Sequence, residues 1–332
     1  MTTTLPASLN RARELVWPAL RAAVDTLAPE IRPVVAHHFG WEEDEEGGGK
    51  AVRPALVLAS AAAAGAPAET GIDGAVAVEL VHNFSLLHDD IMDRDQERHH
   101  RPTAWTVFGE PRAILAGDAL VNLSTQVLLR RPGEERRRAA ALLADATARM
   151  ISGQAEDMAR EGRLDVSVEE CVAMHAAKTG ALLSCASAIG AVLADAEDEL
   201  VARLATFGIE VGIAFQAVDD QLGIWGQPEL TGKPIWNDLR QRKSSLPVVA
   251  ALEQPCKETE RLRELLDQPD LAEGDISEAA ELIEACGGRR YAADEAERRL
   301  GLALQELERA PIDAGAREEL AELARFIVER EF

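Results

Sequence analysis

Aromatic residues are scarce in this sequence, where Phe, Trp and Tyr together make up 4% of 332 residues. Sandwiches and barrels built from β-strands are rich in aromatic and β-branched residues, so the scarcity argues against them. Hydrophobic residues nevertheless reach 47%, a level that supports a sizeable core. Ala, Leu, Val, Glu and Arg dominate, which is typical of closely packed helices. The composition therefore predicts an all-α protein.

Basic residues are outnumbered, with 35 Lys and Arg against 58 Asp and Glu and a formal net charge of -23. Proteins that bind nucleic acid through phosphate contacts need a basic surface, and no long Lys/Arg tract is present. We therefore expect no nucleic-acid partner. An acidic chain instead suits a protein that gathers divalent cations.

Cysteine is also rare, and Cys171, Cys185, Cys256 and Cys286 form no CxxC pair. We interpret them as reduced packing residues. No uncharged apolar run reaches the length of about eighteen residues that a membrane span needs, and the first residues lack the apolar core of a signal peptide. The sequence therefore predicts a cytoplasmic protein without a membrane span.

Helical periodicity runs from Leu9 almost to Phe332. It is interrupted at regular intervals by segments rich in Gly, Pro and charged residues, at 37–50, 65–71, 130–135, 226–234, 266–275 and 286–288. No flexible linker and no repeat of fixed period is evident. The pattern predicts one domain, 1–332, folded as a large antiparallel helical bundle around a central apolar cavity.

The first chemical signal is the stretch "SLLHDDIMDRDQERHHRPTAW" at 85–105. On a helix Asp89 and Asp93 lie four residues apart, and Asp90 and Asp93 three apart, so the carboxylates project from one face. Such oxygen ligands suit Mg²⁺, which takes one or two carboxylates and completes its shell with water and substrate phosphate. A calcium loop is excluded because the EF-hand glycine and closing Glu are absent.

A second acidic cluster lies in "GIAFQAVDDQLGIWG", where Gln216, Asp219 and Asp220 share one helical face. The two clusters are predicted to face each other across the bundle. Basic residues follow or lie between them, namely Arg98, Lys178 and Lys233. Acids that hold a metal, together with bases that hold oxyanions, indicate a diphosphate site.

These motifs resemble those of the trans-isoprenyl diphosphate synthase (polyprenyl synthetase) family, over nearly the whole chain. The family's DDxxD motif with an arginine pair and PT is similar to "DDIMDRDQERHHRPT", and its GGKxxRP is similar to "GGKAVRP" (48–54). Its KTG, FQxxDD and GKxxxxD motifs are similar to 178–180, 215–220 and 232–238. The ordered set is more specific than any single motif, and it implies the isoprenoid synthase fold, with a homodimer as the expected assembly.

The resemblance also implies roles for individual residues. Asp89 and Asp93 would bind two Mg²⁺ ions and Asp219 a third, for three ions in all, with Asp90 and Asp220 completing the catalytic acidic pairs. Arg98, Lys178 and Lys233 would hold an allylic prenyl diphosphate. Lys50, Arg53 and His82, together with His99, would hold isopentenyl diphosphate, and Thr179 and Gln216 would stabilise the growing carbocation. Phe84, one turn before the first aspartate, would close the cavity floor beside Ser85.

Four positions depart from the family pattern. His99 replaces the second arginine of the pair, and Gly223 replaces the third acid of the second motif. Gln227 stands where Asp is common, and Trp236 where Gly is usual. The largely neutral imidazole of His99 would weaken the grip on isopentenyl diphosphate.

The leading hypothesis is a Mg²⁺-dependent trans-prenyltransferase, similar to geranylgeranyl diphosphate synthases, that makes a short-chain, twenty-carbon product. One alternative is a class I terpene cyclase or lyase on the same fold, motivated by His99 and Trp236. A third is a non-catalytic synthase subunit, although both acidic clusters persist.

Overall fold

The structure is a computed structural model that describes residues 6–41, 49–98, 100–227, 235–268 and 271–328. Most of these residues are helical. The helices of the first part of the chain are α1 (Ala7–Val24), α2 (Arg32–Phe39), α3 (Val52–Ala63), α4 (Ile72–Met92), α5 (Ala104–Phe108), α6 (Glu110–Leu129), α7 (Glu134–Arg160) and α8 (Val168–His175), with a 3₁₀ turn at Ala68–Gly71.

The helices of the second part are α9 (Ala181–Leu193), α10 (Asp198–Trp225), α11 (Asn237–Arg240), α12 (Leu246–Glu253), α13 (Thr259–Leu266), α14 (Glu273–Ala285), α15 (Gly288–Arg309) and α16 (Ala314–Val328). A π-helical turn, Ala176–Gly180, joins α8 to α9. The all-α prediction is confirmed. Among the described residues, the predicted interruptions at 65–71, 130–135 and 286–288 coincide with or lie next to gaps between helices, and the other three fall partly outside the described residues.

Local sequence explains these elements. In α1 the buried residues include Leu9, Ala12, Val16 and Leu20, which recur every three or four positions and form one apolar stripe. At the start of α8 the Ser167 side chain accepts a hydrogen bond from the backbone N–H of Glu170, and the Glu170 side chain accepts one from the backbone N–H of Ser167. Apolar periodicity thus explains α1, and a capping box fixes the start of α8.

A short antiparallel hairpin follows α4 and was not expected from the sequence. Its strands are β1 (Glu97–Arg98) and β2 (Arg101–Pro102), paired Glu97 to Pro102 and Arg98 to Arg101. The turn between them includes His100 in a left-handed conformation, with φ of 60°. Two-residue strands are too short for alternation to appear in a sequence pattern, so periodicity could not predict this hairpin.

The chain forms two compact units. Unit 1 comprises 1–147, 184–205 and 306–323, and unit 2 comprises 148–183, 206–305 and 324–332, each within its described residues. In unit 1, α4 packs against α6, α3 and α1. Almost the whole of α4 is buried as far as Leu87, which makes it the central helix of that unit.

Unit 2 contains an apolar cluster contributed by the end of α10 and by α11 to α14. Its members include Ile224, Leu239, Leu262 and Ile283, all 1% exposed or less. Cys286 belongs to this cluster and forms a disulfide with Cys256. The interpretation of all four cysteines as reduced was therefore wrong for this pair, because their pairing depends on the approach of two helix ends thirty residues apart in the chain. Cys171 and Cys185 are free and buried.

Two helical stretches, Val168–Leu193 and Asp198–Trp225, are long and apolar enough by length and composition to cross a membrane. Their most apolar windows are 72% and 50% buried within the protein. Core helices of soluble proteins meet the same criterion, so these two stretches are weak evidence for a membrane span.

Candidate active site

The first acidic cluster lies at the carboxyl end of α4. Asp93 is the residue at which the helix ends, and its backbone N–H donates to the carbonyl of Asp89 at 2.8 Å. Asp89 and Asp93 are thus one helical turn apart on one face, as predicted, and both are half-buried. Two carboxylates on the same face of the last turn of α4 can bind the same metal ion.

Asp90 points elsewhere. It is 1% exposed, and its Oδ1 accepts from Nε of Arg98 at 2.7 Å. A second guanidinium nitrogen of Arg98 also lies 2.7 Å from that oxygen. The hairpin therefore brings Arg98 back onto the aspartate turn, where its side chain remains 25% exposed. Among the predicted catalytic acids, Asp90 anchors a base beside the site rather than facing outward. His99 lies outside the described residues.

The residues predicted to hold isopentenyl diphosphate lie at the start of α3 and along α4. Lys50 is exposed just before α3, Arg53 lies in its first turn, and His82 is half-buried on α4. Between the two bases, Ala51 adopts a left-handed conformation with φ of 55°. Residues held in that region commonly cluster at functional sites, which fits a backbone shaped to present Lys50 and Arg53.

A chain of polar groups lies beside Arg53, and sequence reasoning missed it: Glu79 and Asn83 are buried and His38 is half-buried. Burial raises the pKa of Glu79, and the charge of Arg53 and a hydrogen bond from Asn83 only partly oppose that rise. Asn83 in turn bonds to Nε2 of His38 at 3.1 Å. Burial, together with the nearby charge of Arg98, lowers the pKa of His38 to about 3, so this imidazole is neutral at physiological pH. Polar residues at helical spacing on an otherwise apolar α4 were the available signal.

Phe84 is 8% exposed and lies edge-on to the imidazole of His88, with ring centroids 4.9 Å apart. Ser85, the next residue, donates its hydroxyl to the carbonyl of His82 at 2.8 Å. The phenyl ring is therefore fixed one turn before Asp89, where it was predicted to lie. Its function as a cavity floor stays a prediction.

The second acidic cluster lies near the end of α10. Asp219 is exposed, whereas its neighbour Asp220 is 6% exposed. Asp220 accepts from the backbone N–H of Leu246 at 2.7 Å, and its Oδ2 lies 3.2 Å from Nε2 of His175. Burial raises the pKa of Asp220, but His175 and the hydrogen bonds to the carboxylate outweigh burial and lower it. Asp219 alone of the pair is therefore presented outward.

Gln216 and Thr179 are joined directly. The Thr179 hydroxyl donates to Oε1 of Gln216 at 2.6 Å, and Nε2 of Gln216 donates to Oδ1 of Asp220 at 2.9 Å. Thr179 belongs to the π-helical turn, a feature that is frequent at functional sites. The turn lies so close to α10 that a Cβ added at Gly212 would be 2.5 Å from Cα of Gly180. Two facing glycines thus permit the Thr179 to Gln216 bond.

Lys178 lies in the same π-helical turn and is paired with Asp157 of α7. The side chains are 23% and 14% exposed. The ion pair thus places Asp157 beside Lys178. Lys233, the other predicted diphosphate base of this half, lies outside the described residues.

The departure at Gly223 has a structural counterpart. A Cβ at this position would lie 2.0 Å from Oδ2 of Asp238, so the carboxylate of Asp238 fills the space where a side chain at 223 would begin. Trp236 is the N-cap of α11 in a left-handed conformation, with φ of 62°, and packs against the apolar cluster of unit 2. Gln227 is exposed beyond α10.

The donor set suits magnesium. Asp89, Asp93 and Asp219 offer carboxylate oxygens, with no sulfur or imidazole among the three side chains, and Mg²⁺ prefers such hard oxygen ligands. The site residues of unit 1 and those of unit 2 are each assembled within their own unit. The predicted approach of the two acidic clusters stays a prediction.

Comparison with known proteins identifies this arrangement. The model of the polyprenyl synthetase family matches residues 44–283, which include both acidic clusters. The chain belongs to the polyprenyl synthetase family. This trans-isoprenyl diphosphate synthase family consists of prenyltransferases, and the all-α isoprenoid synthase fold is confirmed with it.

Individual relatives are similar over nearly the full length of this polyprenyl synthetase. A (2E,6E)-farnesyl diphosphate synthase of Mycobacterium tuberculosis is 45% identical, covering 99% of this chain and 94% of its own. A geranylgeranyl diphosphate synthase of the same organism is 40% identical, covering 98% and 94%. The crystal structure of a polyprenyl synthetase from Streptomyces coelicolor A3(2) is 51% identical, has a TM-score of 0.91 and covers 97% of this chain and 99% of its own.

Proposed function

We propose that this trans-prenyltransferase condenses isopentenyl diphosphate with an allylic prenyl diphosphate and releases a short-chain prenyl diphosphate of twenty carbons. The observation that supports the proposal is the set of solvent-accessible carboxylates Asp89, Asp93 and Asp219, together with Lys50 and Arg53 at the start of α3, on a chain of this family. The retained Lys50, Arg53 and His82 favour a synthase over a cyclase, because a cyclase has no isopentenyl diphosphate to hold.

The chain's own residues divide the work. Asp89, Asp93 and Asp219 would hold Mg²⁺, three ions in all by the family resemblance, and bound Mg²⁺ would supply positive charge for the leaving diphosphate. Arg98 and Lys178, with Lys233, would bind the allylic diphosphate. Lys50, Arg53 and His82, with His99, would orient isopentenyl diphosphate.

In the reaction the allylic C1–O bond breaks and the diphosphate departs with the bonding electrons. The isopentenyl double bond then attacks C1, and a proton is lost from the new cation. Thr179 and Gln216 would stabilise the cation through their oxygens, because preorganised dipoles are effective where charge develops. Apolar helical walls would exclude water from it.

Product length rests on Phe84, whose ring is fixed one turn before Asp89. A ring at this place would stop the growing tail, and Ser85 beside it leaves room for a twenty-carbon chain. A fifteen-carbon product is the second candidate, favoured by the 45% identity to a protein named (2E,6E)-farnesyl diphosphate synthase. We retain the expectation that 1–332 acts as one domain, which the coverage of 97% by a solved relative supports.

The test is labelled isopentenyl diphosphate with each allylic primer and Mg²⁺, followed by separation of the products by length. A twenty-carbon diphosphate supports the proposal, and a fifteen-carbon one supports the second candidate. Geranylgeranyl diphosphate supplied alone should remain intact, since its conversion to hydrocarbon would instead indicate a cyclase. Protein that turns over by itself excludes a non-catalytic subunit.

Assembly as a homodimer is a further part of the proposal. Exposed apolar side chains on α5 and α6 support it: Val107 is 51%, Ile114 42% and Leu115 55% exposed. Such surface residues are common at subunit interfaces when they cluster. Sedimentation equilibrium should show a dimer, and a monomer at working concentration would contradict this part.

A further inference from the structure

The orientation of one side-chain amide matters to the proposed chemistry, on which this inference rests. Gln216 presents a carbonyl oxygen at one end of its amide and an NH₂ group at the other. A carbocation is attracted by the oxygen and repelled by the NH₂ hydrogens. A half-turn of the amide would therefore reverse the contribution of Gln216 to the reaction.

Of the partners that the described residues give this amide, Thr179 and Asp220, it is Asp220 that selects its orientation. The Thr179 hydroxyl can donate or accept, so it adapts to either end of the amide. Oδ1 of ionised Asp220 can only accept, and it receives Nε2 of Gln216 at 2.9 Å. The reverse orientation would place the amide oxygen against a buried carboxylate. The orientation of Gln216 therefore depends on Asp220 being held in place.

Asp220 is 6% exposed, so its charge needs donors from the protein. Within the described part of the chain, its second oxygen accepts from the backbone N–H of Leu246 at 2.7 Å and lies 3.2 Å from Nε2 of His175. His175 is 1% exposed and ends α8, directly before the π-helical turn that bears Thr179. The imidazole thus connects the segment of Thr179 with the carboxylate that orients Gln216.

The other contacts of His175 indicate that Nε2 is the ring nitrogen that donates to Asp220. Its Nδ1 has no hydrogen-bond partner among the described residues. Sγ of Cys171 lies 3.6 Å from Nε2 and 3.5 Å from the carbonyl of Ser244, to which the thiol donates. With the thiol hydrogen directed to Ser244, Nε2 is free to donate to Asp220.

We propose that His175 is a positioning residue: it holds Asp220 so that Gln216 presents its amide oxygen to the reacting carbon. His175 contacts Asp220 and not the amide of Gln216, so it acts on the reaction through the side chains of Asp220 and Gln216. Its removal should therefore change the chemical step and leave diphosphate binding intact.

The test compares three variants. His175→Leu removes the donor, His175→Gln keeps an N–H donor of similar reach, and Cys171→Ala removes only the other polar neighbour. We expect His175→Leu to lower kcat by about tenfold to a hundredfold, as is usual when a group that orients a site residue is lost. KM for each diphosphate should stay within about twofold. His175→Gln and Cys171→Ala should retain most of the wild-type kcat.

A double-mutant cycle shows whether the effect passes through Gln216. In a Gln216→Leu background, His175→Leu should cause no further loss of kcat, because the amide that it orients is absent. Additive losses, a matching rise in KM, or failure of His175→Gln to restore kcat would each overturn the proposal. Circular dichroism at the assay temperature confirms that every variant compared is folded.

A bound metal is the competing explanation, because Cys171 Sγ, His175 Nε2 and an oxygen of Asp220 all lie within 4.8 Å of one another. Stoichiometric zinc in the purified protein, measured by plasma mass spectrometry, would overturn the positioning role. Wild-type protein that makes no prenyl diphosphate would refute the proposed function instead. The cycle between His175 and Asp220 would then be measured by urea unfolding, where an absence of coupling would overturn the positioning role as well.

Discussion

Gly212→Ala tests whether the close approach of the π-helical turn to α10 is needed for the Thr179 to Gln216 bond. The new methyl carbon would lie 2.5 Å from Cα of Gly180 and 3.0 Å from its backbone nitrogen. Both obstacles are backbone atoms, which cannot rotate away as a flexible side chain can. Non-bonded carbons lie about 3.5 Å apart or more, so the two segments must separate by about 1 Å.

That separation sets the magnitude. The Thr179 to Gln216 bond of 2.6 Å would lengthen by the same amount, beyond the distance of a useful hydrogen bond. Overpacking costs up to about 3 kcal/mol, and the higher helix propensity of Ala returns about 1 kcal/mol. We expect the free energy of unfolding to fall by about 2 kcal/mol. Loss of a bond worth about 1 kcal/mol in the transition state should lower kcat by about fivefold.

Urea unfolding and steady-state condensation kinetics measure the two effects. Gly301→Ala in α15 is the matched control, since, apart from its chain neighbours and the nearby backbone of its own helix, no heavy atom of the described residues lies within 4 Å of a Cβ added there. That variant should gain about 0.5 to 1 kcal/mol and keep its kcat. If Gly212→Ala behaves like Gly301→Ala, the close packing at Gly180 does not restrain the turn, and the reasoning is refuted.

Four further predictions concern single side chains. Asp219→Ala should abolish turnover while circular dichroism remains unchanged, because it removes an exposed metal-binding carboxylate, and retained activity would refute the metal assignment. Lys50→Ala should raise KM for isopentenyl diphosphate much more than KM for the allylic primer, and equal effects would mean that the diphosphate sites are misassigned. Phe84→Ala should lengthen the product by one or more five-carbon units, since it opens volume before Asp89, whereas an unchanged product from a folded, active variant would locate the floor elsewhere. Below pH 6.5 the free energy of unfolding of the wild type should fall faster with decreasing pH than that of His38→Gln, by up to about 1.4 kcal/mol per pH unit. The reason is that the unfolded chain binds a proton at this imidazole, whereas folded His38, with a pKa of about 3, does not. Equal slopes for the two proteins in urea unfolding between pH 7 and 5 would contradict this.

The sequence predicted the helical class and the acidic turns, because both depend on spacing along a single helix. Asp89 and Asp93 lie one turn apart whatever surrounds α4. Helical spacing by itself could not show that Asp90 and Asp220 are buried, because tertiary packing decides which of two adjacent acids on a helix is covered. Asp90 is covered by Arg98 of the hairpin, and Asp220 by His175.

The same limit applies to contacts between distant segments. None of the motifs gives His175 a role, and its partner Asp220 lies 45 positions later in the chain. The carboxylate of Asp238 fills the space beside Gly223. The motif shows only that Gly replaces an acid at position 223 and does not predict this contact. Such contacts form when the helices pack against one another, and residue spacing along one helix does not predict them.

The Cys256–Cys286 bond also makes this polypeptide two covalent species. It closes a loop of thirty residues that holds all of α13 and α14, so an oxidised chain enters the unfolded state with fewer conformations open to it. The chain-entropy relation gives about 3 to 4 kcal/mol for a loop of that length. Preparations made with and without a reductant are therefore different materials with one sequence, and their melting temperatures should be compared only after the thiols have been counted.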